Sequence, residues 1–75
     1  MVSEEKIISI VSKSLDIPES NVTMNTKSSD LEEWDSLGHL SILSGIQDEL
    51  GDKFNDNQEI ASATSVKELH TIINA

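Results

Sequence analysis

Apolar residues recur at helical spacing in three separate runs of this chain, and no segment alternates apolar and polar residues as a strand would. Glycine and proline are few, with three and one respectively. The chain has 75 residues and no cysteine, so neither a disulfide nor a cysteine-based metal site supports its small core. We therefore expect one all-α domain over residues 1–75, stabilised by helix packing alone.

The first run covers residues 3–15. Ser3 is well placed to cap a helix, and Glu4 and Glu5 suit the positive end of the helix dipole. Apolar residues at helical spacing form one stripe, composed of Ile7, Ile8, Val11 and Leu15. Pro18 disfavours helix in the residue before it, so the helix is expected to stop there.

The second run covers residues 36–50, and Gly51 follows at a position typical of a helix end. Its inward face is expected to contain Leu40, Leu43, Ile46, Leu50 and Phe54. Its opposite, exposed face is expected to contain Ser41, Gly45, Asp48 and Asp52.

The third run opens with Ser65 and Glu68, which have the spacing of a capping box. Its buried stripe is expected to contain Val66, Leu69, Ile72 and Ile73. A short helix is expected before it, over residues 58–63, with Ile60 and Ala63 pointing inward. Residues 16–35 show no period, and we expect an ordered crossover anchored by Val22, Met24, Leu31 and Trp34. The predicted fold is a small four-helix bundle of three main helices and one short one, with a long loop between the first and second helices.

The charge of the chain is strongly negative, because 14 acidic residues outnumber five lysines and the formal net charge is −9. Phosphate backbones and anionic membranes attract basic proteins, so neither is an expected partner. The negative electrostatic field of the chain favours association with basic patches on other proteins. No run reaches the roughly 20 apolar residues of a membrane span, and the N-terminus lacks a signal-peptide pattern. We expect a cytoplasmic monomer.

The junction before the second run reads Glu33-Trp34-Asp35-Ser36-Leu37. Asp35 can cap the helix, which leaves Ser36 in the first turn with an exposed hydroxyl. Helix N-termini offer unpaired N–H groups and a partial positive charge, so a phosphate ester on Ser36 would be stabilised there. The alternative is that Ser36 only helps to cap the helix.

Residues 31–50, LEEWDSLGHLSILSGIQDEL, resemble the prosthetic-group attachment region of acyl carrier proteins, which have an Asp-Ser-Leu signature at the start of their second helix. Length, acidity and the order of helices extend this resemblance to the whole chain. It implies that a phosphopantetheinyl transferase, with magnesium, moves 4′-phosphopantetheine from coenzyme A to Ser36, and that Asp35 is used in this modification. The arm would hold an acyl group as a thioester, so the chain would be a carrier without catalytic residues.

The sequence departs from carriers of primary fatty-acid synthesis, whose second helix is densely acidic on its exposed face. The corresponding positions here are Gly38, Ser41, Gly45 and Asp48. We therefore expect a specialised, stand-alone carrier with its own loading ligase or transferase, in a fatty-acid, polyketide or other biosynthetic pathway. The expected docking residues are Glu32, Glu33, Trp34, Leu37, His39, Ser41 and Asp48. The residues expected to line an acyl cleft are Leu40, Leu43, Ile46 and Ile60.

Two alternatives remain open at this point. An aminoacyl or peptidyl carrier is the nearer one, although the GGxS attachment motif common in such domains is absent. The other is an unmodified acidic interaction module. Trp34 is interpreted mainly as a loop anchor, and His39 as a residue that faces solvent or a partner. We expect neither His39 nor His70 to bind a metal, and no triad partner is evident for a nucleophilic serine.

Overall fold

Four α-helices surround one apolar core in the computed structural model, which describes residues 2–51 and 58–75. They are α1 (Glu4–Leu15), α2 (Ser36–Leu50), α3 (Gln58–Ser62) and α4 (Val66–Ile73). The predicted all-α architecture of three main helices and one short one is confirmed. Across the described ranges there is no strand, only an isolated bridge between Lys27 and Ser65, and no helix has the length and apolar character needed to cross a membrane.

The segment between α1 and α2 is not one long loop, because two single-turn 3-10 helices interrupt it, at Glu19–Asn21 and Ser28–Asp30. The four predicted anchors all contact the core: Val22 and Trp34 are buried, and Met24 and Leu31 are half-buried. Two backbone hydrogen bonds also join this segment to the start of α4, from Ser28 N–H to the Thr64 carbonyl and from Val66 N–H to the Thr26 carbonyl. The crossover is therefore part of the packed structure.

Helix α1 begins as the sequence predicts, with the Ser3 hydroxyl accepting a hydrogen bond from Lys6 N–H at 3.1 Å. Its buried face is wider than the predicted stripe. Ile10, which the prediction omitted, is buried, whereas Ile8 is only half-buried. The reason is that α1 packs against both α2 and α4, so residues on two sides of the helix are covered.

Helix α2 has the predicted bounds, but it is rotated about its axis relative to the prediction. Ile42 and Ile46 are buried at its centre, whereas Leu40 is 60% exposed. Gly45, predicted to be exposed, lies against α1, and a Cβ atom there would be 2.5 Å from Ser14 Oγ and 3.4 Å from Ile10 Cγ2. Four other positions agree with the prediction, because Leu43 and Leu50 are half-buried and Ser41 and Asp48 are exposed. The predicted positions of Asp52 and Phe54 lie outside the described residues.

Helices α3 and α4 close the core. Ile60 and Ala63 point inward as predicted, and in α4 Val66, Leu69 and Ile73 are buried while Ile72 is half-buried. The Ser65 hydroxyl accepts from Glu68 N–H at 3.1 Å, which is the first half of the predicted capping box. The Glu68 carboxylate, however, accepts from the Thr64 N–H at 2.6 Å and from the Thr64 hydroxyl at 3.0 Å. These bonds lower the pKa of Glu68.

Two glycines of α2 give a matched test of this packing. A Cβ atom at Gly38 would overlap the carbonyl oxygen of Glu33, which is backbone, whereas one at Gly45 would meet mainly the movable hydroxyl of Ser14. We expect Gly38→Ala to lower the free energy of unfolding by about 1–3 kcal/mol, as overpacking does. Gly45→Ala should stay within about 1 kcal/mol of the parent, because the helix propensity of alanine offsets the strain. Urea unfolding measures the stability of both variants. An equal loss of unfolding free energy in the two would contradict the contacts assigned to Gly38 and Gly45.

Candidate functional site

Ser36 is the first residue of α2, and its side chain is exposed. Asp35 precedes it in an extended conformation and acts as the N-cap, with Oδ1 accepting from Gly38 N–H at 2.8 Å. The carbonyl of Asp35 accepts from His39 N–H, also at 2.8 Å. The predicted cap and the exposed serine hydroxyl are therefore confirmed. The dipole of this 15-residue helix places partial positive charge where Ser36 stands.

An open groove of about 530 Å³ begins at Ser36 and runs between the start of α2 and the α3 region. Its other lining residues are Ser28, Trp34, Asp35, His39, Leu40 and residues 61–64. Among them only Asp35 is acidic, so the wall is composed mainly of small uncharged and apolar groups. A chain attached to Ser36 Oγ could lie along this surface without passing through the core.

Leu37 and Leu40 form an apolar patch beside Ser36. Leu37 is 75% exposed and Leu40 is 60% exposed, and they are the large apolar side chains that the described ranges leave open to solvent. Because they lie three residues apart on one helix, they share a face and can contact a partner together. Exposed apolar side chains grouped in this way are typical of interaction sites.

The four predicted cleft residues do not form one cleft. Ile46 and Ile60 are completely packed within the core, and Leu43 is half-buried against it. Leu40 alone among them lines the groove beside Ser36. The prediction grouped these residues because it placed Leu40 on the inward face of α2, and the observed rotation of the helix separates them.

Trp34 is buried, and His39 is half-buried beside it at the wall of the groove. Trp34 is 5% exposed, which confirms it as a loop anchor and removes its ring from the expected docking surface. Its indole Nε1–H donates to His39 Nδ1 at 3.0 Å, and the two rings lie nearly parallel, 12° apart. His39 is half-buried, and its Nε2 lies 3.0 Å from the carbonyl oxygen of Ile60. Both ring nitrogens of His39 are therefore engaged within the fold, so the ring does not stand free in solvent, and its contact with a partner stays a prediction.

Acidic groups lie on both sides of the Leu37 and Leu40 patch but not within it. Glu32 and Glu33 are exposed before the helix, and α2 contains no acid until Asp48 and Glu49. Lys6 of α1 contacts Glu49 at 2.6 Å, and Lys13 lies 3.9 Å from the same carboxylate. The hydrogen bond and the charge of Lys6 lower the pKa of Glu49. Within the described ranges, no group of three or more His, Cys, Asp or Glu side chains is arranged to hold a metal ion.

No protein-family model matches this chain, and neither a curated protein nor a solved structure matches it. The interpretation of the site therefore depends on its own residues and their geometry.

The Asp35 cap can be tested by two substitutions. Asp35→Ala removes the side-chain acceptor of Gly38 N–H and should lower the free energy of unfolding by about 1 kcal/mol. Asp35→Asn keeps an oxygen at that position and should retain most of the stability. Urea unfolding at neutral pH compares the variants. If the asparagine variant lost as much stability as the alanine variant, the cap would not be the source of the effect.

The ion pair at Glu49 predicts a pH-dependent contribution to stability. Because its pKa in the folded protein is depressed, this contribution is present above the range in which a free glutamate titrates and is lost as the pH falls through the depressed pKa. We expect Glu49→Gln to be slightly less stable than the parent at pH 7 in low salt, since exposed pairs contribute little. The two should converge in acid and in high salt. Asp48→Asn is the control, and a Glu49→Gln effect that persists unchanged in acid would contradict the pairing.

Proposed function

We propose that this chain is an acyl carrier protein whose Ser36 receives a 4′-phosphopantetheine arm. The single observation that carries the proposal is an exposed serine at the first position of a capped helix, directly after the aspartate that caps it. The sequence around this serine contains the Asp-Ser-Leu signature of the resemblance, which length, acidity and the order of helices extend to the whole chain. The proposal makes the chain a carrier that other enzymes modify and load, with no catalytic residue of its own.

The modification forms one bond and breaks one. Ser36 Oγ bonds to the phosphorus that bears the pantetheine, the pyrophosphate bond of coenzyme A breaks, 3′,5′-ADP leaves, and the serine proton is lost to the transferase or to solvent. The product is a phosphodiester at the N-terminus of α2, where the helix dipole stabilises its negative charge. Asp35 would hold this turn in place through Gly38 N–H and would be used in the modification, for which the transferase brings a magnesium ion. Once attached, the arm supplies a thiol for thioester formation.

The exposed patch of Leu37 and Leu40 supports a docking face around Ser36. Glu32 and Glu33 on one side, with Ser41 and Asp48 on the other, complete it. The expected partners are the phosphopantetheinyl transferase, a loading ligase or acyltransferase, and pathway enzymes that offer an apolar contact bordered by basic groups. Since α2 contains no acid between Ser36 and Asp48, close contact along the helix would depend on apolar packing, and the net charge of −9 would mainly attract basic partners as they approach.

The proposed cargo is an acyl chain of a specialised fatty-acid, polyketide or related pathway. The groove beside Ser36 supports this choice, because its wall includes Leu40 and small uncharged residues and contains one acidic side chain. An aminoacyl cargo would bring an ammonium group, for which this wall offers one carboxylate, that of Asp35, while the rest of the wall is uncharged.

Intact-protein mass measures the proposed modification directly. The chain is incubated with coenzyme A, magnesium and a broad-specificity phosphopantetheinyl transferase, and we expect a mass gain of one phosphopantetheine. Ser36→Ala should show no gain. Ser41→Ala is the matched control, because it removes another exposed serine from the same helix, and it should be modified like the parent.

Two results would contradict the proposal. One is a parent chain that stays unmodified under conditions in which a reference carrier is converted, which would favour the unmodified interaction module. The other is a Ser36→Ala chain that still gains the arm. Fragmentation of the modified peptide would identify the attachment residue in that case.

A further inference from the structure

We propose that neutral His39 is a positioning residue, which joins α3 to the turn that contains Ser36. Its imidazole contacts two different parts of the fold, the Trp34 indole on one side and the Ile60 carbonyl on the other. Neither bond is part of the attachment chemistry itself, and together they link two segments on either side of Ser36 to α3. The coupling between α3 and the Ser36 turn does not depend on the proposed function. Only its expected effect on the modification of Ser36 rests on the proposed function.

The position of the bridge in the chain makes it specific to the Ser36 turn. Trp34 lies two residues before Ser36, and His39 lies three residues after it. The bond between them therefore spans the serine, and it adds to the two bonds that Asp35 makes with Gly38 N–H and His39 N–H. Three hydrogen bonds thus fix the backbone on both sides of Ser36.

The chemistry of the two contacts determines the protonation state of His39. An indole N–H can only donate, so Nδ1 must be the acceptor and lack a proton. The Ile60 carbonyl can only accept, so Nε2 must have the proton and donate it. The bridge thus needs the neutral Nε2–H tautomer. In the imidazolium form both ring nitrogens donate, and the Trp34 N–H, on a ring that is 5% exposed, loses its acceptor.

Among the residues that the structure describes, the charged groups near this bridge are few and acidic. In the groove that His39 lines, the other titratable side chain is Asp35, while α3 and the residues after it contribute Ala61, Ser62, Ala63 and Thr64. Glu32 and Glu33 adjoin Trp34 in the chain, and Glu59 precedes Ile60. No lysine occurs in any of these segments. Protonating the imidazole is therefore the direct way to break its bond to Trp34 and so to test the bridge.

The bridge also joins the two walls of the groove. Trp34 and His39 belong to the Ser36 side, and Ile60 belongs to α3, whose next residues line the opposite side. When the bridge forms, the distance between the walls is fixed. When His39 is protonated, its bond to Trp34 breaks while Nε2–H still donates to the Ile60 carbonyl, so α3 stays bonded to His39 but is no longer linked through it to Trp34.

The test uses NMR of the uniformly ¹⁵N-labelled full chain before any modification. The chain has one tryptophan, so its indole N–H gives one unambiguous signal. Imidazole ¹⁵N shifts identify the tautomer and titration of His39. We expect the Nε2–H tautomer above neutral pH. On acidification, the indole proton and the backbone amides of Ser36 and Ala61 should shift with the same midpoint as His39.

Variants distinguish coupling from general loosening of the fold. His39→Phe keeps a ring but removes both nitrogens, and at one fixed pH we expect its indole proton to exchange with solvent about tenfold faster than in the parent. Its Ser36 and Ala61 amides should no longer titrate together. His70→Gln removes the other histidine, in α4, and should leave the parent behaviour unchanged. The proposal is overturned if either the indole signal or the Ser36 amide signal does not shift as His39 titrates.

Transferase kinetics test the consequence for Ser36. Normalised to a reference carrier that has no histidine at this position, modification of the parent should slow on acidification with the midpoint of His39. His39→Phe should give a kcat/KM about tenfold lower at neutral pH and no such pH step. An unchanged rate and profile in His39→Phe would overturn the positioning role. If no form of the chain accepts the arm, the proposed function fails, and the NMR result still decides whether the bridge couples α3 to the Ser36 turn.

Discussion

The close contact between α1 and α2 determines what every other part of α2 can do. Gly45 lets the backbone of α2 approach Ser14 and Ile10, and Gly38 lets its first turn lie against the Glu33 carbonyl and the Leu15 side chain. With these glycine positions turned toward α1, Leu37 and Leu40 must point away from it. The exposure of these two leucines is therefore a consequence of helix packing, and it places an apolar patch beside Ser36 without any contribution from local sequence preference.

The features that the sequence predicted correctly are local ones. The caps at Ser3, Asp35 and Ser65 involve hydrogen bonds over three residues, so the spacing of residue types is sufficient to predict them. The bounds of α2 and the exposure of Ser36 follow from the same kind of information.

The features that could not be predicted from the sequence depend on tertiary contacts between segments that are distant in the chain. Both Leu40 and Ile42 belong to stripes compatible with a helical period, and only contact with α1 selects the stripe with Ile42. The bond between His39 and the Ile60 carbonyl joins residues 21 positions apart, and no spacing rule predicts it. The Glu68 carboxylate likewise bonds to Thr64, because the chain just before α4 is held in the bridge with residues 26–28.

Charge and apolar packing would act at different stages of partner binding. The chain has a net charge of −9, but its acids border the patch formed by Leu37 and Leu40 without lying within it, and Glu49 at the far end of α2 is paired with lysines of α1. The electrostatic field of these charges extends over a Debye length of about 8–10 Å, whereas apolar contacts form only when the two surfaces touch. Selection among basic partners would thus depend on whether they can cover two leucines next to a fixed Ser36 turn. The three hydrogen bonds around that turn matter for this reason: they keep the serine, the patch and the groove in one arrangement while the partner binds.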